Sequence, residues 1–305
     1  MKKTLLIIGC GDIALRVAPL LRKRYRLLGL CRKPENSCKL RTHNIIPIDG
    51  DLDQPDSLDR LAGMAHAILH LAPPPGYGLK DSRTTHLLAT LHRRTLAKRR
   101  ILPQRLIYIS TSGVYGDCKG EWVSENHPLH PINERAWRRV DAERQIRNWG
   151  VRNDVQVSII RVPGIYAADR LPLARLRQGT PALLADEDSY TNHIHADDLA
   201  RIIVATLHYG KPGRIYHASD DSHLKMGDYF DLVADHFSLP HPPRIPRFQA
   251  NKYISPSLMS FMNESRRLTN TRLKQELHIK LLYPTISSGI AKAYLQRESD
   301  EYLQG

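Results

Sequence analysis

The chain has 305 residues, 41% of them hydrophobic and 25% charged, long enough to bury a sizeable core in one large α/β domain with an extension or in two domains, and its composition shows no sign of disorder. A formal net charge of +14 would suit a polyanionic partner. However, the basic clusters Arg22-Lys23-Arg24, Arg93-Arg94 and Lys98-Arg99-Arg100 fall late in or just after expected helices, where cations offset the macrodipole, and no aromatic platform accompanies them, which argues against a nucleic-acid-binding protein.

The four cysteines, Cys10, Cys31, Cys38 and Cys118, show neither CxxC spacing nor a paired pattern. They fit free thiols in a reducing cytosol and support no metal site. No apolar stretch approaches the roughly 18 residues of a membrane span, so a soluble, cytoplasmic protein with no membrane partner is expected.

Near the start, Thr4-Leu5-Leu6-Ile7-Ile8 reads as a buried parallel strand. Gly9-Cys10-Gly11-Asp12-Ile13-Ala14 reads as a tight turn into a helix whose apolar positions, Leu15, Val17, Ala18, Leu20 and Leu21, follow helical spacing. In a strand–turn–helix unit of this kind Gly9 permits the sharp turn, Gly11 leaves room for a pyrophosphate, and Ala14 lets the helix approach the sheet. The free N–H groups at the helix start, around Asp12 and Ile13, would point at the dianion. The motif in this context predicts dinucleotide binding.

Residues 26–31 read as a second strand, followed by Arg32-Lys33-Pro34. An NAD-selective site would place an acidic side chain here to accept from the ribose hydroxyls. Arg32 and Lys33 would instead pair with a 2′-phosphate, which favours NADP, with NAD as the alternative. A third strand at 44–48 ends in Asp49-Gly50-Asp51-Leu52, where Asp51 could accept from the adenine amino group while Leu52 covers the ring. A helix is expected over 56–64, then a fourth strand over 67–72 ending at Ala72. Pro73-Pro74-Pro75-Gly76-Tyr77-Gly78 cannot extend that strand, and its loop would run along the centre of the cofactor.

A helix over 81–98 and a fifth strand over 105–110 lead into Thr111-Ser112-Gly113-Val114-Tyr115-Gly116, and a sixth strand is expected over 156–162. Strands alternating with helices predict an α/β fold: a Rossmann-type, doubly wound parallel sheet, with ligands collected beyond the carboxyl ends of its strands. Gly9, Gly11, Arg32, Asp51, Ala72 and Thr111 all fall at such ends. The expected division is a dinucleotide-binding domain at 1–165, its sheet completed by parts of 190–220, and a small C-terminal substrate lobe within 166–305. In the last third, Arg175 and Arg177 lead into that lobe, a strand pattern returns at 214–217, and helices are expected at 226–236, 264–275 and 286–296 around a rigid connector at 239–246.

Together these segments resemble the extended branch of the short-chain dehydrogenases/reductases, the NAD-dependent epimerase/dehydratase family. The matching stretches are Gly9-Cys10-Gly11-Asp12-Ile13-Ala14, Asp51-Leu52, Ser110 to Gly116, Arg161-Val162-Pro163-Gly164-Ile165-Tyr166, and Asn192-His193-Ile194-His195-Ala196-Asp197-Asp198-Leu199-Ala200. The resemblance implies that Thr111 holds a substrate oxygen. It also implies a Tyr acid/base activated by a Lys four residues later, with a Glu four residues beyond. Matching that Glu to Glu143 puts Arg139 at the Lys position, where it would face the cofactor, and Arg135 at the Tyr position.

A guanidinium cannot exchange its proton near neutral pH. The chain therefore resembles an atypical subgroup whose Tyr/Lys pair is missing. Tyr115 or Tyr166 could replace the acid; His193 and His195 could titrate or simply pack. Arg135, Arg139 and Arg161 could form a pocket for phosphate or carboxylate or, for the first two, face solvent, and Arg266 or Arg267 could face a substrate phosphate. The expected activity is that of an NAD(P)-binding oxidoreductase or epimerase-like enzyme acting on a polar anionic small molecule, such as a nucleotide sugar; the alternative is a catalytically silent NADP-binding regulator. A homodimer is an assembly common in the resembled family. A serine hydrolase is disfavoured because Ser110 and Ser112 sit in no GxSxG elbow.

Overall fold

The computed structural model describes residues 2–94 and 101–294. Its central sheet has seven parallel strands. In chain order the strands of the molecule are β1 (Lys3–Ile8), β2 (Tyr25–Cys31), β3 (Ile45–Asp49), β4 (Ala67–His70), β5 (Arg105–Thr111), β6 (Trp122–Val123), β7 (Gln156–Val162), β8 (Gly164–Tyr166), β9 (Ala182–Leu183), β10 (His193–His195), β11 (Ile215–His217), β12 (Arg244–Ile245) and β13 (Arg267–Leu268). The helices are α1 (Asp12–Leu21), α2 (Ser37–Thr42), α3 (Ser82–His92), α4 (Glu134–Asn153), α5 (Leu173–Arg177), α6 (Ala196–Tyr209), α7 (Met226–His236), α8 (Arg247–Tyr253), α9 (Pro256–Met262) and α10 (Thr271–Leu277).

The sheet order β11-β7-β5-β4-β1-β2-β3 reverses direction at β1, where the chain, having built outward to β3, crosses back to β4. β1 shows why it sits in the centre. Its continuous apolar run serves two faces: Leu5 and Ile7 join the cluster containing Val17, Leu21, Leu199 and Ile203 of α1 and α6. Leu6 and Ile8 join the opposite cluster with Leu87 and Leu91 of α3 and Ala142 and Ile146 of α4. All four β1 side chains are fully buried, as expected for a strand covered on both sides. A separate apolar cluster of Tyr166, Leu173, Leu176, Tyr229, Phe230, Val233, Ile286 and Ile290 packs α5, α7 and the helical residues 286–294 together.

Several expected elements are altered. Residues Pro55–Leu61 form a 3₁₀ helix rather than an α-helix over 56–64. The helix expected over 81–98 is α3, ending at His92; the cluster Lys98-Arg99-Arg100 lies outside the described residues. The helix expected over 264–275 begins only at Thr271, because Arg267 and Leu268 pair with Trp122 and Val123 as β13 against β6. Helical residues 286–294 match the start of the expected 286–296 helix, whose last two positions lie outside the described residues.

Candidate active site and dinucleotide cleft

At the turn after β1, Gly9 has φ +95°, and a methyl there would lie 2.4 Å from the Ala72 backbone nitrogen. This close approach lies where the parallel neighbours β1 and β4 end, at the point where the strand order reverses. Gly11, by contrast, has open space where a side chain would go. It is also the N-cap of α1 and supplies no side-chain cap, so the first-turn amides of Asp12 and Ile13 are left for a ligand. The Asp12 carboxylate would oppose a pyrophosphate, but it is neutralised by Arg16 at 3.0 Å and Arg170 at 2.9 Å. These features fit a dinucleotide: a cradle that a Cβ would fill, beside uncapped amides.

Next to this turn is a cleft of about 270 Å³, whose lining includes Gly9, Arg32, Asp51, Leu52, Ala72 and Arg83. Of the residues expected at the ends of β1 to β4, Gly9, Arg32, Asp51, Leu52 and Ala72 are brought together here, whereas Gly11, Asp12, Ile13 and Lys33 are not among the lining residues. Arg32 is exposed and makes no hydrogen bond or ion pair among the described residues. Lys33 is also exposed and pairs with Glu35 at 3.4 Å. Asp51 Oδ1 accepts from the Asp53 amide at 3.0 Å, which fixes the loop that carries Leu52. Arg83 was not anticipated. It donates to both Asp53 oxygens, at 2.8 and 2.6 Å, and to the Pro73 carbonyl at 3.1 Å, tying the triproline loop to the loop after β3. No local motif announces it, since its partners lie 10 and 30 residues away.

A second cavity, of about 230 Å³, lies beyond the end of β5. Thr111, Gly113, Asn133, Arg135, Asn192, His193, Glu264 and Arg266 are among its lining residues. Thr111 Oγ1 accepts from the Gly113 amide at 3.2 Å, which leaves its own hydroxyl hydrogen free to donate to a ligand. Glu264 Oε1 accepts from Asn133 Nδ2 at 3.0 Å, and Glu264 Oε2 accepts from Arg266 Nη1 at 2.9 Å. Asn133 and Glu264 escaped the sequence reading because 131 residues separate them. Burial pushes His193 down to about 4, so its imidazole is neutral at neutral pH. His195 is lowered in the same direction and by the same cause, packs on Tyr283, and accepts from the Asp197 amide as the N-cap of α6.

Other candidates are placed elsewhere. Tyr115, expected as a substitute acid, is fully buried. Its hydroxyl bonds His217 Nε2 at 2.5 Å and accepts from Arg161 Nη1 at 2.6 Å, and burial pushes the phenol up to about 12. Buried and held by these two partners, it does not line the cavity and serves to anchor the fold. Tyr166 is likewise buried, donates to the Thr285 carbonyl at 3.3 Å, and is raised by burial.

Arg161 is 2% exposed and grips Glu143 bidentately at 3.0 and 2.7 Å, so it belongs to no anion pocket. Arg139, expected beside the cofactor, lines neither cavity; its Nη1 donates to the Tyr108 hydroxyl at 3.0 Å and the Ile109 carbonyl at 2.8 Å, drawn against β5. Arg267 stacks on Trp122 and Tyr190 and donates to the Gly120 carbonyl, leaving Arg266 as the cavity-lining member of that pair. No group of His, Cys, Asp and Glu that could hold a metal occurs among the described residues.

A doubly wound parallel sheet with a Gly-rich turn at its switch point and a hydroxyl-bearing cavity at the end of the fifth strand defines a dinucleotide-binding class of protein. The model of the NAD dependent epimerase/dehydratase family matches residues 14–219, and the chain belongs to that family. It is 27% identical to Protein YeeZ of Escherichia coli (strain K12) over 187 residues, 61% of this chain and 64% of that one. The chain thus spans less than two thirds of the length of the curated relatives it matches. A functionally unknown conserved protein from Silicibacter pomeroyi DSS has TM-score 0.77 and 27% identity, over 97% of this chain and 100% of that one. UDP-glucuronic acid 4-epimerase from Bacillus cereus, solved with UDP-glucuronic acid and NAD, shares the fold at TM-score 0.75 and 17% identity, over 97% and 99% of the two chains. No helix among the described residues is long and apolar enough to cross a membrane.

Proposed function

We propose that this chain is an NADP-dependent oxidoreductase or epimerase-like enzyme whose substrate is a polar, anionic small molecule, with nucleotide sugars as the first class to try. The observation that carries the reading is the joint placement of two sites along the carboxyl ends of one parallel sheet. The cleft at β1 to β4 is lined by Gly9 of the turn and by Arg32, with the uncapped start of α1 next in the chain; the cavity at β5 offers Thr111. Gly11, Asp12 and Ile13 would face the pyrophosphate, Asp51 and Leu52 the adenine, Ala72 the central section, and Arg32 with Lys33 the 2′-phosphate. The bound nicotinamide supplies hydride exchange. Thr111 donates to a substrate oxygen and orients the reacting carbon. The family assignment and the NAD held by the Bacillus cereus relative support a nicotinamide cofactor in general.

The test is hydride exchange with NADPH across a panel of nucleotide sugars and small oxo acids. Turnover should fall by about 10²-fold or more in Thr111→Ala, the order expected when a hydrogen-bond donor to the reacting oxygen is lost. Unchanged turnover in that variant would remove Thr111 from the mechanism. A second reading, a catalytically silent NADP-binding regulator, is favoured by the family register counted back from Glu143, which puts Arg139 at the Lys position and Arg135 at the Tyr position. It predicts NADPH binding with no hydride exchange across the whole panel.

A further inference from the structure

α4 begins at the edge of the Thr111 cavity, and donors converge there. Asn133 caps the helix by accepting from the Ala136 amide at 2.9 Å, and the aligned dipoles of this 20-residue helix leave partial positive charge at its start. Arg135, in the first turn, holds its guanidinium carbon 4.2 Å from the Phe261 ring centroid. Its hydrogen bond to the Ser260 hydroxyl is long, at 3.5 Å, and it makes no ion pair among the described residues. Stacking on an aromatic face steadies a guanidinium while leaving its in-plane N–H groups for a bidentate partner.

Arg266 lines the same cavity and is only 7% exposed. Its Nη1 donates to Glu264 at 2.9 Å and to the Gly116 carbonyl at 2.6 Å, but its buried Nε has no partner among the described residues. Against these two cations the lining offers one carboxylate, Glu264, already shared between Arg266 and Asn133. His193 adds no charge, because burial keeps it neutral. The wall is therefore short of negative charge at the place where the substrate must sit.

We infer that Arg135, backed by Arg266 and the start of α4, binds an oxyanion of the substrate, a carboxylate or a phosphate carried close to the carbon that Thr111 orients. The inference deepens the proposed function and rests on its assignment of the Thr111 cavity to the substrate. A residue unable to exchange a proton thereby becomes a specificity determinant: an anion gains a charge-assisted bidentate partner in the exposed Arg135, which neutral alcohols and ketones of the same size do not.

The test is calorimetric titration of the NADPH-loaded protein with malonate and, separately, with inorganic phosphate at matched ionic strength, in the wild type, Arg135→Gln and Arg135→Lys. At least one anion should bind one to one and lose about tenfold or more in affinity in Arg135→Gln, with partial retention in Arg135→Lys and NADPH affinity within about twofold of wild type in both. Whichever anion binds identifies the group as carboxylate or phosphate. Binding of neither anion at millimolar concentration, or equal binding by wild type and Arg135→Gln, would overturn the inference. All the donors belong to the protein, so the same dependence on Arg135 is expected without cofactor. Failure to load NADPH would therefore defeat the cofactor reading while this one is still decided by the anion titration.

Discussion

At Gly9 the geometry leaves no latitude. A Cβ there would press into the Ala72 backbone at 2.4 Å with φ at +95°, and backbone at that contact cannot swing aside as a side chain could. Gly9→Ala should cost at least about 2–3 kcal/mol and displace the turn proposed to face the cofactor; a denaturant midpoint equal to wild type would contradict this. Arg161 and Glu143 form a buried pair, 2% exposed each, and loss of Arg161 leaves the buried Glu143 with only the more distant Arg147, at 3.5 Å. Arg161→Met should cost about 3–5 kcal/mol, more than the double replacement Arg161→Met with Glu143→Leu, and a double-mutant cycle in denaturant measures the difference. The sequence already distinguished Arg135 and Arg139 by register from Glu143. The fate of Tyr115 was not legible, because its partners Arg161 and His217 lie 46 and 102 residues on and only the folded sheet brings them beneath it.

The parallel strands could be read directly because each is a short apolar run bounded by turn residues, and a strand buried on both faces leaves that mark in sequence. The short strands could not: β6 and β13 have two residues each and exist only because Arg267 and Leu268 return to Trp122 and Val123. For the same reason the sequence overextended the helix that became α10. The 3₁₀ helix Pro55–Leu61 buries Leu58 and Leu61, and that apolar spacing suits either helix type. α4 joins the fold to the cavity through its cap, since Asn133 both accepts from Ala136 and donates to Glu264. Asn133→Ala should destabilise by about 1 kcal/mol, the ordinary value of a lost N-cap. It should also weaken the anion binding assigned to Arg135 by releasing Glu264. A stability loss with anion affinity intact would separate the cap from the cavity.

For the whole molecule, pH is the sharpest probe of packing. Burial depresses His70 and His217 to about 3 and His193 to about 4, against an ordinary value of 6.5. Between those values and 6.5 the unfolded chain binds protons that the native protein refuses, so stability is fully present above about pH 6.5 and is lost as pH falls. Each such histidine contributes a slope of about 1.4 kcal/mol per pH unit. Asp220, pushed up to about 8 by burial, runs the other way: it holds a proton in the native state and favours folding below that value, offsetting one of the three. The net expectation is a denaturant midpoint that falls steadily from pH 6.5 to pH 5; a flat midpoint across that range would show that the histidines are not buried as described.

Whether the ends of β1 to β4 hold NADP is decided by calorimetric titration with NADPH and, separately, NADH at fixed salt. One site that prefers NADPH is expected, with the preference lost and NADH affinity retained in Arg32→Ala. Equal affinity for the two cofactors in the wild type would contradict the role of Arg32, and binding of neither would contradict the dinucleotide cleft itself.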